Sequence, residues 1–340
     1  MLEKPDIPDG VIFDCLQRDF GLAARRIEFL PLGYDLDSAV YWADVKGGKS
    51  YFVKLRSGVF DEMTVRLPQF LHECGIRQII APIKSKSGQP WANLDGYKLI
   101  LSPFIEGWNG YQVELTKAQW FEFGATLKAI HATKPVPELA GRLQREAFSE
   151  QWRQVLKDLL ERIDGGGFND PIAAETAAFL GAQRKLVLDL VRRANNLADV
   201  LKNLELEFVL CHADAHAGNI HIGKDGSLYI VDWDNPILAP RERDLMFIGN
   251  SQGFRGTTPE EEEASFYRGY GNIRVDQNAL AYYRYERIIQ DIAIFCQQLL
   301  LSDQGGDDRE QSFRYLVSNF EAGNTIELAY TTDKSIRIKG

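Results

Sequence analysis

The chain has 340 residues, 45% hydrophobic and 26% charged, the balance of an ordinary globular protein long enough for two lobes. A net charge of −9 argues against nucleic acid or an anionic membrane as a partner and would attract a cationic small molecule. No apolar run approaches a membrane span, Met1 to Asp6 contain no signal core, and Cys15, Cys74, Cys211 and Cys296 are too scattered for a disulfide framework, so a cytoplasmic protein with buried thiols is expected.

Val11, Ile12, Cys15 and Leu16 give residues 10–20 an apolar helical face. Ile27 to Leu32, Ala39 to Val45 and Ser50 to Leu55 read as three strands, with Gly47-Gly48 turning between the second and third. Between the first two, Gly33-Tyr34-Asp35-Leu36-Asp37-Ser38 offers a glycine and a hydroxyl with which a strand–loop–strand can cover phosphates. Taken alone it is also an ordinary hairpin loop.

Lys54 lies between the apolar Val53 and Leu55, so alternation turns it to the opposite face. This suits a phosphate-contacting lysine on a third strand; an exposed strand lysine is the plainer alternative. Glu62 is its expected carboxylate partner, with Glu73 second. Pro68 should shorten or kink the helix that carries them. A further strand, Lys98 to Leu101, runs into Ser102-Pro103-Phe104-Ile105-Glu106-Gly107, the place where a two-lobed kinase has its hinge.

The remainder reads as mainly helical. Trp120, Phe123, Leu127 and Ile130 mark one helix. Leu156, Leu159, Leu160 and Ile163 mark another, stopped at Gly165-Gly166-Gly167. Leu186 to Leu197 form a third that leads into a short apolar strand, Phe208 to Cys211.

After that strand the sequence reads His212-Ala213-Asp214-Ala215-His216-Ala217-Gly218-Asn219, and later Asp232-Trp233-Asp234. Asp214, Asn219 and Asp232 have the order and spacing of a kinase catalytic loop and its metal-binding aspartate. Asp225-Gly226 signals a two-residue hairpin turn between strands Asn219 to Gly223 and Leu228 to Asp232. That register sets Asn219 opposite Asp232, a pair of oxygen donors suited to Mg²⁺. Asp214 then takes the position of general base. His212 is expected to be a structural hydrogen-bonding residue, with His216 and His221 as bystanders. Asp244, in Arg241 to Phe247, should open a helix and brace the catalytic loop; Tyr282 to Asp291 lie in a late helix.

The segments around Lys54, Pro103-Phe104-Ile105, Cys211 to Asn219, Asp232 to Pro236, Leu238 to Gly249 and Tyr282 to Ala293 resemble the aminoglycoside phosphotransferase and choline kinase family, most closely its branch acting on spectinomycin. The resemblance implies an α+β, bilobal, protein kinase-like fold with a small antiparallel-sheet N-lobe (1–102), a hinge (103–108) and a larger, mainly helical C-lobe (109–340). It implies ATP and Mg²⁺ as cofactors, Asp214 as base, Asn219 and Asp232 as metal ligands, Lys54 as phosphate contact and Ser38 as a phosphate-loop hydroxyl. Pro103 and Ile105 would lie at the adenine-reading hinge, with Glu62 supporting Lys54. Pro68 departs from that pattern.

The implied activity is phosphorylation of a hydroxyl on a cationic aminocyclitol such as spectinomycin. Asp234, Glu286 and Asp291 are the candidate acids for binding it, Asp291 favoured over Glu286 because Ile288, Ile292 and Phe295 surround it on one helical face. Only eleven residues separate Asp232 from Asp244, which leaves little room for a peptide-docking activation segment. A metabolic small-molecule kinase for choline, homoserine or methylthioribose would use the same catalytic residues. A non-catalytic nucleotide-binding module would not need all of Lys54, Asp214, Asn219 and Asp232.

Overall fold

Alternation along the N-terminal strands sets the first sheet. In a computed structural model, which describes residues 3–32, 37–249, 257–302, 306–321 and 325–339, this sheet contains β1 (Ala24–Leu30), β2 (Ser38–Val45), β3 (Lys49–Arg56), β4 (Ala92–Leu94) and β5 (Tyr97–Pro103). Their spatial order is β1-β2-β3-β5-β4, and every neighbouring pair is antiparallel. Ala39, Tyr41 and Ala43 of β2, Val53 and Leu55 of β3, and Leu99 and Leu101 of β5 share one face and pack with Ile12, Cys15 and Leu16. The last three come from the helix Asp9–Cys15 and the π-turn that continues it. Lys54 and Arg56 therefore occupy the other face of β3. A one-residue slip would drive both cations into this core, so burial holds the register firmly.

The helix Met63–Glu73 follows and continues past Pro68. Pro68 does not end the helix: it is buried with Val65, Leu67 and Leu71, packing that offsets the lost backbone donor. The chain then forms a parallel bridge, Ile79 with Ile230, beside the hairpin that turns at Asp225-Gly226. A second sheet has β6 (Gly107–Asn109), β9 (Ile220–Gly223) and β10 (Leu228–Ile230) in the order β10-β9-β6. These elements and the helix Lys117–Ala132, whose Trp120, Phe123, Leu127 and Ile130 are buried as expected, belong to one compact unit of Met1–Leu143, His212–Pro236 and Ser265–Tyr270.

The second unit comprises Gln144–Cys211, Ile237–Ala264 and Gly271–Gly340. It has a small sheet, β7 (Gln144–Arg145), β11 (Ile237–Ala239) and β8 (Val209–Cys211), and is otherwise helical. Its central helix, Gln277–Leu301, starts on an Asp276 cap and packs against Gln151–Asp164, Pro171–Ala182, Arg184–Lys202 and Thr325–Lys339. Cys15, Cys211 and Cys296 are buried thiols, but Cys74 is exposed, contrary to expectation, at the end of its helix. No described helix is long and apolar enough to cross a membrane.

Candidate active site

The loop after β8 is tied down by His212, which is fully buried. Its Nε2 lies 3.0 Å from the Val231 carbonyl oxygen, and its Nδ1 accepts from the Asp214 backbone N–H at 3.2 Å. This pattern requires a neutral ring protonated on Nε2, so the imidazole is committed to structure. Trp233 packs edge-on against it, centroids 4.5 Å apart. His212 thus joins the segment carrying Asp214 to the segment carrying Asp232. Ala213 and Asp232 both adopt positive φ, 68° and 65°. A left-handed backbone at a residue with a Cβ costs roughly 1–2 kcal/mol, and here two such residues lie in or beside the acidic positions.

Asn219 is nine-tenths buried, and its Nδ2 donates to the Asp214 carbonyl at 2.8 Å and to Asp214 Oδ2 at 3.3 Å. His216, expected to be a bystander, stands against the other carboxylate oxygen: its Nε2 is 3.6 Å from Asp214 Oδ1. Its Nδ1 accepts from the Gly218 N–H at 3.0 Å, so the proton of the neutral ring is on Nε2, facing Asp214. Tyr111 stacks on it at 5.7 Å.

The hairpin corrects one expectation. Gly223 N–H donates to Ser227 O and Gly226 N–H to Gly223 O, both at 2.8 Å, so the loop has three residues, with Gly226 at φ 86°. Asp225 Oδ1 stabilises it by accepting from Ser227 N–H at 3.0 Å. The register is one residue off the two-residue reading: Ile220 pairs Ile230, and the Val231 N–H donates to Asn219 O. Asn219 therefore faces Val231, and Asp232 lies beyond the ladder.

Asp232 is met by β3 instead. Lys54 Nζ lies 3.1 Å from Asp232 Oδ1 and 2.8 Å from Asp234 Oδ2. Burial disfavours the Lys54 ammonium, but the two carboxylates more than offset that and push its pKa above the usual lysine range. Glu62 is not its partner. That carboxylate accepts from Arg66 Nε at 2.9 Å, one helical turn away, and from Arg142 Nη1 at 3.2 Å, which hold it below its ordinary pKa. Glu73, the second choice, is 3.5 Å from Lys84.

Arg56 is a residue that motif reading missed. It lies two positions from Lys54 and directly across from Ser38, and its Nη1 donates to Ser38 Oγ at 2.9 Å and Asp234 Oδ2 at 3.0 Å. The signal was present in the strand alternation that places Lys54. Asp234, expected as an acceptor-site acid, is engaged by these two cations.

Pro103 ends β5, and Ile105 follows with its carbonyl oxygen 2.9 Å from His221 Nε2. His221 thereby links the segment after β5, expected as the hinge, to β9. Of the expected phosphate loop, Gly33 to Ser38, residues 33–36 lie outside the described residues; Ser38, at the start of β2, is inside them. In the second unit Glu286 is buried against the fully buried Arg153 at 2.7 Å. It is an internal ion pair, not an acid presented to a ligand. Asp291 is half-buried and lies 2.9 Å from Arg287 Nε, one turn back on the same helix.

The pattern of the phosphotransferase enzyme family, APH, matches residues 28–284. Spectinomycin phosphotransferase APH(9)-Ia, solved with ADP and spectinomycin, is similar at 35% identity over 97% of this chain and 99% of that one, with a TM-score of 0.89. The AMP-bound form of that enzyme gives 36% identity, 94% and 97% coverage and a TM-score of 0.83. The choline kinase LicA from Streptococcus pneumoniae, at 17% identity, 91% and 97% coverage and a TM-score of 0.58, shares the fold. No curated protein matches the chain.

Proposed function

This chain belongs to the APH phosphotransferase enzyme family, and on that footing we propose that it transfers the γ-phosphoryl group of ATP, with Mg²⁺, to a hydroxyl of spectinomycin or a closely related cationic aminocyclitol. The observation that carries the acceptor is the 35% identity with APH(9)-Ia over nearly the full length of both chains. The choline kinase likeness is too distant in sequence to favour a metabolic acceptor.

The chemistry follows from the residues gathered in the first unit. Asp214 is the general base: its carboxylate takes the proton of the attacking hydroxyl, held between Asn219 on Oδ2 and His216 facing Oδ1. Asn219 Nδ2 is committed to the Asp214 carbonyl, which leaves Oδ1 as its donor for a cation. With the Asp232 carboxylate this is an all-oxygen pair, the hard donor set that Mg²⁺ takes. When bound, the metal would supply charge neutralisation to the phosphate oxygens. Lys54 adds an ammonium for the phosphates, and Pro103 and Ile105 offer backbone groups for the adenine. The acceptor provides the nucleophile, so no activated serine or cysteine is needed.

Purified protein should phosphorylate spectinomycin in a Mg²⁺-dependent manner and raise spectinomycin resistance when expressed. Turnover of choline, homoserine or methylthioribose with spectinomycin left unmodified would overturn the acceptor assignment. Asp214→Asn should keep the fold and lose turnover by roughly 10²–10⁴-fold, the usual range for a general base. Near wild-type turnover would remove Asp214 from that role.

A further inference from the structure

We propose that Arg56 is a second phosphate-binding cation, and that Asp234 is the carboxylate from which Arg56 and Lys54 are exchanged onto the phosphates of a bound nucleotide. The proposal rests on the nucleotide-dependent reading above and deepens it. It assigns Asp234 to the nucleotide side of the site.

Strand geometry comes first. Lys54 and Arg56 are two residues apart on β3, so they project from the same face, and Ser38 is the residue directly opposite Arg56 on β2. Ser38 Oγ accepts from Arg56 Nη1 at 2.9 Å and holds the guanidinium beside the ammonium. The two cations then converge on a single atom: Asp234 Oδ2 is 2.8 Å from Lys54 Nζ and 3.0 Å from Arg56 Nη1.

Competition at that atom gives the direction of exchange. Lys54 Nζ also meets Asp232, whose Oδ1 is 3.1 Å away. A divalent ion held by Asp232 would draw that carboxylate's charge away from Lys54 and leave the ammonium sharing Asp234 Oδ2 with Arg56. A phosphate oxygen offers both cations an anionic partner in place of Asp234, and the planar guanidinium suits phosphate geometry. The three side chains are 18–24% exposed, open enough for a ligand to reach and enclosed enough for the contacts to matter.

The test is calorimetric binding of AMP, ADP and a non-hydrolysable ATP analogue with Mg²⁺ to the full chain, without acceptor. Arg56→Met should weaken the triphosphate analogue by roughly 10–100-fold, the range for losing a charge-assisted hydrogen bond. AMP affinity should change little, and Arg56→Lys should recover part of the loss. Asp234→Asn should move the other way and tighten the analogue, because the competing carboxylate is gone. Thermal unfolding of each variant checks that it is folded; Asp234→Asn decides the matter if Arg56→Met is not. Weaker binding in Asp234→Asn, or an equal loss for AMP and the triphosphate in Arg56→Met, would overturn the proposal. Either result leaves the phosphotransferase reading intact when wild type binds nucleotide and phosphorylates its acceptor. Failure of wild type to bind any nucleotide would overturn both.

Discussion

Ala213 is buried and held at φ 68°, one residue before the proposed base. Removing its Cβ relieves a left-handed strain of roughly 1–2 kcal/mol, and the extra freedom of glycine in the unfolded chain returns roughly half of that. Ala213→Gly should therefore stabilise the protein by about 0.5–1 kcal/mol, while Ala213→Val, β-branched in the same conformation, should destabilise it by more. Denaturant midpoints at constant m-value decide this; a lower midpoint for the glycine variant would contradict it. The roles of single residues were unevenly legible in the sequence. Spacing brings Asn219 to Asp214, and a five-residue loop can hardly do otherwise. The choice of partner for Lys54 was not legible, because it depends on which cations reach Glu62 first. Arg66 does so from one turn along the same helix, a pattern visible in the sequence, and Arg142 does so from a distant segment, which is not. His216 gave no signal beyond its place in the loop, since its role depends on the tautomer set by the Gly218 backbone.

At the scale of elements, strands and helices carried strong signals and the joints between them weak ones. Asp225-Gly226 marks a hairpin correctly, but two- and three-residue loops share that signature, and the difference shifts every pair by one residue. Ser227, which donates its backbone N–H to Asp225, was the available clue to the longer loop. Pro68 misled in the opposite sense, because burial of its ring was not visible in a propensity argument. Two glycines now allow a quantitative contrast. Gly226 has positive φ and open space around a notional Cβ, so Gly226→Ala should cost only about 1 kcal/mol from backbone strain. Gly107 on β6 would place a Cβ 2.0 Å from the Ile222 carbonyl oxygen of β9, a backbone atom that cannot yield without parting the strands. Gly107→Ala should cost several kcal/mol, in the range of overpacked cores or beyond. Comparable stabilities for the two variants would show that β6 and β9 do not hold this spacing.

For the molecule as a whole, the two compact units are interleaved along the chain, and local periodicity cannot say which distant segments gather. The helical unit also contains a buried charge pair whose effect should appear in stability as a function of pH. Arg153 Nη1 lies 2.7 Å from Glu286 Oε2, and Arg153 also donates to the Phe148 and Ser149 carbonyls. Burial raises Glu286 from 4.5 to about 7; Arg153 and Arg243 oppose that shift without cancelling it, and Glu146 adds to it. A folded-state pKa above the unfolded one means that the native state holds the proton more tightly. The resulting stabilisation is complete below about pH 4.5 and is lost as pH rises through about 7. The span corresponds to about 3 kcal/mol, since one pKa unit is roughly 1.4 kcal/mol. Glu286→Gln keeps the shape and removes the titration, so its stability relative to wild type should climb between pH 5 and 7 and level off above. Every other ionisable group is common to both proteins, so their difference isolates Glu286. Arg153→Met should be the harsher change near pH 8, by roughly 3–5 kcal/mol, because it leaves a buried carboxylate without its cation. Unfolding curves at half-unit pH steps test both, and a wild-type-to-Gln difference that is flat with pH would mean that Glu286 titrates as it does in the unfolded chain.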